Sequence, residues 1–423
     1  MRINKLTSAL AIAGLVTVSS AAFATDGYFS DGYGIKAKGM AGVSIALPQD
    51  ALAAANNPAG MVLVGDRLDL GLDWFRPIRN ADIVGSGAPG ATGSYDANDK
   101  KNFLIPEFGY NKMINPNMSF GVSVYGNGGM NTSYTKPIPL FQGTSNTNAG
   151  IDLSQLFIAP TFAMKLNSSN AIGVSLNFAY QRFKATGLKG FANPMFSSSP
   201  SNVTDNGYDS ATGWGVKVGW NGQVTPDLSL GVTYQSKTSM GKLDKYKGLF
   251  AEQGGFDIPE NYGAGFAWKA MPGWTVAGDY KHISYSKVAA VGNSVNCLFA
   301  GTCQLGSGNG AGFGWKDMDV YKLGVSYEYS KDLTLRAGYS YGKQPIPTSQ
   351  TLFNMLAPAV NNDHLTLGAT WTLANKAELS FAYMHAFDNT VSGSNSIPAG
   401  FGGGNANLKM YQDSLGVAYG MKF

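Results

Sequence analysis

Apolar and polar residues alternate in segment after segment of this chain, and that period of two is what most constrains its fold. Leu68, Leu70, Leu72 and Trp74 fall on one side of an extended backbone, Arg67, Asp69, Gly71 and Asp73 on the other. The pattern recurs at 118–124, 172–180, 214–220, 228–234, 321–329, 333–341 and 365–373, with weaker runs near 102–113, 153–166, 260–269, 273–288 and 376–388. With the C-terminal run these make about fourteen strands, an even number as closed bacterial single-chain barrels require. The connections sort into two classes. Short turns fall at 115–117, 167–170, 225–227, 271–273, 330–332 and 374–376, and long loops fall between them near 80–101, 130–150, 189–210, 243–258, 289–315, 343–361 and 389–409. Short turns at one end and long loops at the other describe a transmembrane barrel, with the turns periplasmic and the loops outside.

A soluble β-sandwich would also alternate, but its apolar face would be buried. Here that face is tipped near strand ends by Trp74, Trp214, Trp220, Trp268, Trp274 and Trp371, the pattern of interfacial aromatic girdles. The last strand alternates Leu415, Val417, Tyr419, Met421 and Phe423 with Ser414, Gly416, Ala418, Gly420 and Lys422, and it ends on an aromatic residue. Glycine, 55 of 423 residues, follows no collagen period and must serve inside strands and loops.

Residues 1–24 carry Arg2 and Lys5, an apolar run from Leu10 to Val18, and then Ala22-Phe23-Ala24, the layout of a cleaved secretory signal with Thr25 as the first mature residue. No other stretch offers the roughly 18 uninterrupted apolar residues that a membrane helix needs. Removing Arg2 and Lys5 from the 31 basic residues leaves 29 against 27 acidic ones, too balanced for a nucleic-acid partner. Cys297 and Cys303, the sole cysteines, form a close pair in an exported chain and are expected to make one loop disulfide. Two thiols and the scattered His282, His364 and His385 offer no metal-ligand spacing, and no cofactor is expected.

Residues 25–65 precede the barrel, which occupies 66–423. They are rich in small residues, and Asp50 can cap a short helix over Ala51 to Ala55 that Asn57, preceding Pro58, must end. So short a helix does not stand alone in water, and the lumen of fourteen strands would be an open channel unless filled. An all-β fold follows: a fourteen-stranded antiparallel transmembrane barrel with an N-terminal plug, or hatch, containing short helices. Asn57-Pro58-Ala59-Gly60-Met61, Ile258-Pro259-Glu260, Gly314-Trp315-Lys316-Asp317, Arg336-Ala337-Gly338-Tyr339 with Pro345-Ile346-Pro347, and Tyr383-Met384-His385 stand at strand boundaries. In that order they resemble motifs of the outer-membrane long-chain fatty acid and aromatic hydrocarbon transporter family.

The resemblance implies a protein of the Gram-negative outer membrane, embedded in its lipid and inserted by the barrel assembly machinery. It implies capture of a long-chain fatty acid or another hydrophobic small molecule on extracellular loops, passage past the hatch at Asn57–Met61, and sideways release into the bilayer. Phe191, Met195 and Phe196 on one loop and Leu249 and Phe250 on another are candidates for capture. Gly126-Asn127-Gly128-Gly129 permits a bulge in the third strand, where the family has a kink that opens the wall. Arg182 and Lys316 match positions where the family places cations near a bound carboxylate. The chain departs from the family at Gly342-Lys343-Gln344, where fatty acid transporters tend to carry Asp before Pro-Val-Pro. Neutral aromatic hydrocarbons would need no carboxylate partner. An outer-membrane lipid hydrolase is the alternative of another class. It would need a positioned nucleophile and base, and the sequence offers only Ser284 near His282, with no Gly-x-Ser-x-Gly elbow.

Overall fold

The computed structural model describes residues 26–143 and 145–423, so the segment read as a signal lies outside the described residues. The wall is built of β1 (Arg67–Val84), β2 (Phe103–Asn115), β3 (Met118–Ser133), β4 (Gly150–Lys165), β5 (Asn170–Thr186), β6 (Asp209–Thr225) and β7 (Leu228–Gln235). It continues with β8 (Asn261–Met271), β9 (Trp274–Ile283), β10 (Met318–Glu328), β11 (Leu333–Gly342), β12 (Asp363–Thr372), β13 (Glu378–Val391) and β14 (Asn405–Lys422). Each strand pairs antiparallel with its neighbours in sequence, and β14 returns to β1 from Arg67–Lys422 up to Val84–Asn405. This closure makes a fourteen-stranded barrel. Two short strands, Gly93–Asp96 and Ser239–Met240, sit above the wall against β1 and β6.

The alternation sets the two faces. Leu70, Leu72 and Trp74 of β1, Phe178 and Tyr180 of β5 and Leu415 and Val417 of β14 are exposed, while Asp69, Asp73, Ser175, Asn177 and Ser414 are buried toward the lumen. This inside-out polarity suits a strand with lipid on one side and packed polar protein on the other. β1, β3, β13 and β14 rise beyond the limits read from the sequence, into stretches expected to be loop. There the outward residues, such as Asn80 and Asp82, are polar, so the greasy alternation stops although the ladder continues: Ala81 faces Leu408 and Ile83 faces Ala406 beneath the loops. At the far side the predicted ninth strand overran, because Tyr285–Lys287 coils into a 3-10 turn.

Residues 26–65 fill the lumen in three four-residue helices, Ile35–Lys38, Ala53–Asn56 and Met61–Val64, and one 3-10 turn, Pro58–Gly60. The helix expected over Ala51–Ala55 is shorter than that. Asp50 accepts from the Leu52 amide at 3.0 Å, which fixes a turn before the helix begins. Asn57 ends it in an extended conformation and pins the chain, its amide donating to the Ile45 and Trp220 carbonyls at 2.8 and 2.9 Å while its Oδ1 accepts from the Ala59 amide.

Two features of the wall receive this plug. Glycines on the luminal face let backbone meet backbone: a Cβ on Gly109 would lie 2.6 Å from the Ala51 carbonyl, and one on Gly338 would lie 2.5 Å from the Ala41 nitrogen. Luminal carboxylates then take amides that the short helices cannot satisfy. Glu107 accepts from Gly34 and Ile35, Asp279 from Ser44 and Ile45, and Asp69 from Ala51, at 2.8–3.1 Å. Ion pairs add to the grip, with Lys36 on Glu378 and Lys38 on Asp73 both at 2.5 Å, while Arg67 bridges Asp69 and Glu378 within the wall.

Gly338→Val should therefore unseat the plug locally while sparing the wall. In planar bilayers the variant is expected to show ion-conducting steps absent from the parent protein, with heat-modifiable gel mobility unchanged. A folded but silent variant would show that the plug yields without opening the lumen.

Candidate functional site

At the extracellular end, loops that lie far apart in sequence converge on a nearly closed apolar chamber. The helix Pro139–Gln142 brings Phe141, the turn Lys189–Phe191 brings Phe191, and the helix Thr351–Asn354 brings Phe353. With Phe183, Phe250 and Phe313 they line a cavity of about 30 Å³, counted by water centres, that has no charged side chain in its lining. The rings meet edge to face, Phe183 to Phe250 at 4.6 Å and Phe191 to Phe353 at 5.1 Å, the arrangement their quadrupoles favour. Three of the residues read from the sequence, Phe191, Leu249 and Phe250, line this chamber, and Phe196 backs Phe191 at 5.6 Å. Met195 does not belong to it: it is 75% exposed, because the Asn193 side chain turns the loop there and points it to solvent. Phe141, Phe313 and Phe353 were missed, although apolar side chains inside otherwise polar loops were the available signal.

Below the chamber the lumen turns polar. Between plug and wall lies a cavity of about 40 Å³ by water centres, room for a few waters, lined by Asp31, Tyr33, Asn127, Lys217, Asp279, Lys281 and Lys322 among others. Lys322 reaches the Asp26 carboxylate at 3.1 Å and donates to the Asp31 carbonyl, while Lys281 lies 4.0 Å from Asp26 and 5.0 Å over the Phe29 ring. Burial pushes the Asp31 carboxyl of the plug up to about 6, against the pull of Lys322 and Lys38. Lys217 donates to the Ala55 carbonyl, and among the described residues no carboxylate makes an ion pair with it.

The two cations read from the sequence lie elsewhere. Arg182 shares the face of Phe178 and Tyr180 and so points out of the barrel, where its guanidinium sits 4.2 Å over the Tyr208 ring. Lys316 precedes β10 in an exposed position, its amide bound to the Pro345 carbonyl. Neither faces the lumen. Parity would have found the right residues, since Lys217 and Lys322 alternate with the outward Trp and Tyr of their own strands.

The third element is a break in the wall. The ladder between β2 and β3 ends at Phe108–Val124, leaving 103–107 and 125–133 unpaired with each other while β2 stays bonded to β1 and β3 to β4. The break starts where Gly126-Asn127-Gly128-Gly129 bulges: Gly126 faces Leu156, Gly128 faces Gln155, and Asn127 is the extra residue. These glycines stay within the strand. The free inner edge of β3 is taken up by the start of the plug, where Ser30 donates to the Asn127 carbonyl and the Gly129 amide to Tyr28. Above, buried Arg79 crosses from β1 to donate to the backbone and side chain of Asn131 and to the Lys100 carbonyl. Phe75, Phe103, Ile105, Met384 and Ala386 form an apolar cluster on the luminal side of β1, β2 and β13 beside the break. Cys297 and Cys303 are joined by a disulfide in the extracellular loop after β9.

A closed barrel with an internal plug, a greasy chamber at its outer end and an interrupted wall defines an outer-membrane transporter of hydrophobic molecules, not an enzyme. The chain belongs to the outer membrane protein transport protein family (OMPP1/FadL/TodX), whose sequence profile matches residues 11–423. It is similar to a long-chain fatty acid transport protein of Escherichia coli O6:H1, 24% identical over 433 residues that cover 89% of this chain and 90% of the relative. The fold is shared with the toluene transporter TodX of Pseudomonas putida (20% identity, TM-score 0.69, covering 93% of this chain and 99% of that one). A FadL homologue of Pseudomonas aeruginosa shares it as well (17% identity, TM-score 0.68, covering 93% and 99%).

Arg79 is the side chain that ties the rim of the break together. Arg79→Gln should lower hydrogen-exchange protection of the 130–133 amides by about tenfold or more, as expected for local opening, and leave the β8–β12 amides unchanged. Unaltered protection there would mean that the pairing of β3 with β4 alone holds the rim.

Proposed function

We propose that this protein carries small neutral hydrophobic molecules, of the size and character of a monoaromatic hydrocarbon, from the extracellular chamber into the outer-membrane bilayer, which they enter between β2 and β3. The observation that carries this reading is the lining of the chamber, six phenylalanines and no charged group. A ligand held there gains affinity from buried apolar area at roughly 25 cal/mol per Å². A carboxylate held there without a cation would lose on the order of several kcal/mol. The outward Arg182 and the exposed Lys316 remove the two partners first expected for a fatty acid head group. The apolar cluster at Phe103 and Ile105 suits the same cargo on its way out. The plug, hinged about Asn57 to Met61, is the element that must shift, because Tyr28 to Ser30 cover the inner edge of the break.

A long-chain fatty acid is the second reading, and Lys217 favours it: a buried luminal cation without an ion-pair partner among the described residues could receive a carboxylate that has passed the chamber.

Equilibrium binding of toluene, oleate and oleyl alcohol to the detergent-purified barrel separates the two. Neutral cargo predicts that Phe191→Ser with Phe353→Ser cuts toluene binding by about tenfold or more, in keeping with the loss of two buried aromatic contacts, and that Lys217→Met leaves it unchanged. If oleate binds more tightly than toluene and Lys217→Met weakens oleate alone by about 1.5–3 kcal/mol, the range for a charged hydrogen bond, the cargo is a fatty acid.

A further inference from the structure

The outer surface of β4–β6 carries a site that transport does not use. Going up β5 from the periplasmic turn, the outward side chains are Ile172, Val174, Leu176, Phe178 and Tyr180, all exposed and apolar or aromatic, and then Arg182 and Lys184. At roughly 3.4 Å per residue Arg182 lies about 7 Å farther along the strand than Tyr180, the last of these apolar or aromatic side chains. Both cations lie over one ring, Arg182 at 4.2 Å and Lys184 at 5.2 Å from the centre of Tyr208. Tyr208 is fixed at both ends, its hydroxyl donating to Asp152 at 2.8 Å and its backbone carbonyl accepting from Lys245 at 2.7 Å.

Elsewhere on the extracellular side some exposed lysines are neutralised by carboxylates, Lys237 by Asp257, Lys287 by Glu260 and Lys409 by Asp388, while others such as Lys136 and Lys343 stand in open loops away from an apolar groove. Among the described residues Arg182 and Lys184 make no such pair, and Asp152, which accepts from the Tyr208 hydroxyl, sets one negative charge beside the two cations. Directly beneath them an apolar groove of about 510 Å³ by water centres runs down the wall between Ile158, Phe178, Tyr180, Trp214 and Met240. A groove for a hydrocarbon chain with two cations against one carboxylate at its upper end has the polarity of a single lipid.

We propose that this face holds a phosphate-bearing lipid of the outer leaflet, with an acyl chain in the groove and the phosphate on Arg182 and Lys184. The planar guanidinium offers a phosphate paired donors, and the lysine adds a second point charge. The site is independent of the cargo, since every contributing side chain points away from the lumen.

Native mass spectrometry of the full barrel in detergent, titrated with bis-phosphorylated lipid A and with the same lipid stripped of its phosphates, tests this. The expected result is retention of the phosphorylated lipid, reduced by about tenfold or more in R182Q/K184Q and strengthened several-fold in D152N, with the stripped lipid indifferent to both changes, as charge-assisted binding requires. Equal retention of the two lipids by the parent protein, or an unaffected double variant, overturns the proposal. Displacement of the lipid by millimolar inorganic phosphate also overturns it, because the site would then be a simple anion site. Should R182Q/K184Q fail to show heat-modifiable mobility, the sign of the D152N effect decides.

Discussion

Everything inside this barrel depends on one mutual dependence, that of a polar wall and a plug neither of which is satisfied without the other. The plug has no helix longer than four residues and could not hold its shape in water. The wall, in turn, carries Asp69, Asp73, Glu107, Asp279 and Lys322 on its luminal face, and each finds a backbone or side-chain partner on the plug. Removing one member of a buried pair strands the other, at a typical cost of about 3–5 kcal/mol. The luminal glycines are the steric half of the same arrangement. They account for part of the chain's glycine content, because a side chain at Gly109 or Gly338 would occupy the place of the plug backbone.

That polar middle closes two apolar compartments off from the periplasm. The chamber of phenylalanines lies above it, the cluster of Phe75, Phe103 and Ile105 lies beside the break in the wall, and the charged layer around Lys217, Lys281 and Lys322 forms the barrier between them and the periplasm. A hydrophobic molecule gains nothing by crossing this layer of buried lysines, whereas on the proposed route the interruption between β2 and β3 leads it toward hydrocarbon. The polarity of the lumen supports the proposed sideways exit over passage straight through.

The fold was legible in the sequence because membrane strands are read two residues at a time, and each periplasmic turn announced itself with Asn, Pro, Asp or Gly. Strand ends were less legible. Once the outward residues of β1 become Asn80 and Asp82, nothing local distinguishes a paired strand from a loop, and the pairing with β14 that decides it is remote in sequence. The same parity that gave the fold shows why Arg182 was misplaced: motif resemblance put it inside, while its own alternation with Phe178 and Tyr180 put it outside. The chamber was half legible, since Phe191 and Phe250 stood out within their loops, but Phe141, Phe313 and Phe353 join them only through tertiary packing. The break in the wall could be suspected from Gly126 to Gly129. Its extent could not, because where a ladder stops is a property of two strands.

Chamber and break are joined by a continuous line of rings. Phe250, in the chamber lining, meets Phe256 at 5.0 Å, Phe256 meets Tyr28 at 6.0 Å, and Tyr28 meets Phe29 at 5.3 Å, beside the point where Phe29 bridges to Gly128 on the open edge of β3. Contact alone transmits nothing, because a ligand shifts an equilibrium only by the difference in its affinity for the two states. The small volume of the chamber supplies such a difference. A cavity of about 30 Å³ cannot admit an aromatic molecule with its phenylalanines where they stand, so cargo binds only where Phe250 or a neighbour has moved. On the proposed route the cost of that movement falls on Phe256 and then on the segment Tyr28 to Ser30, which is joined to the edge by backbone hydrogen bonds to Asn127 and Gly129 and by the bridge of Phe29 to Gly128. Each such backbone bond is worth only about 1 kcal/mol, so on the proposed route a preference of the cargo for the displaced rings acts directly on the contacts that cover the edge.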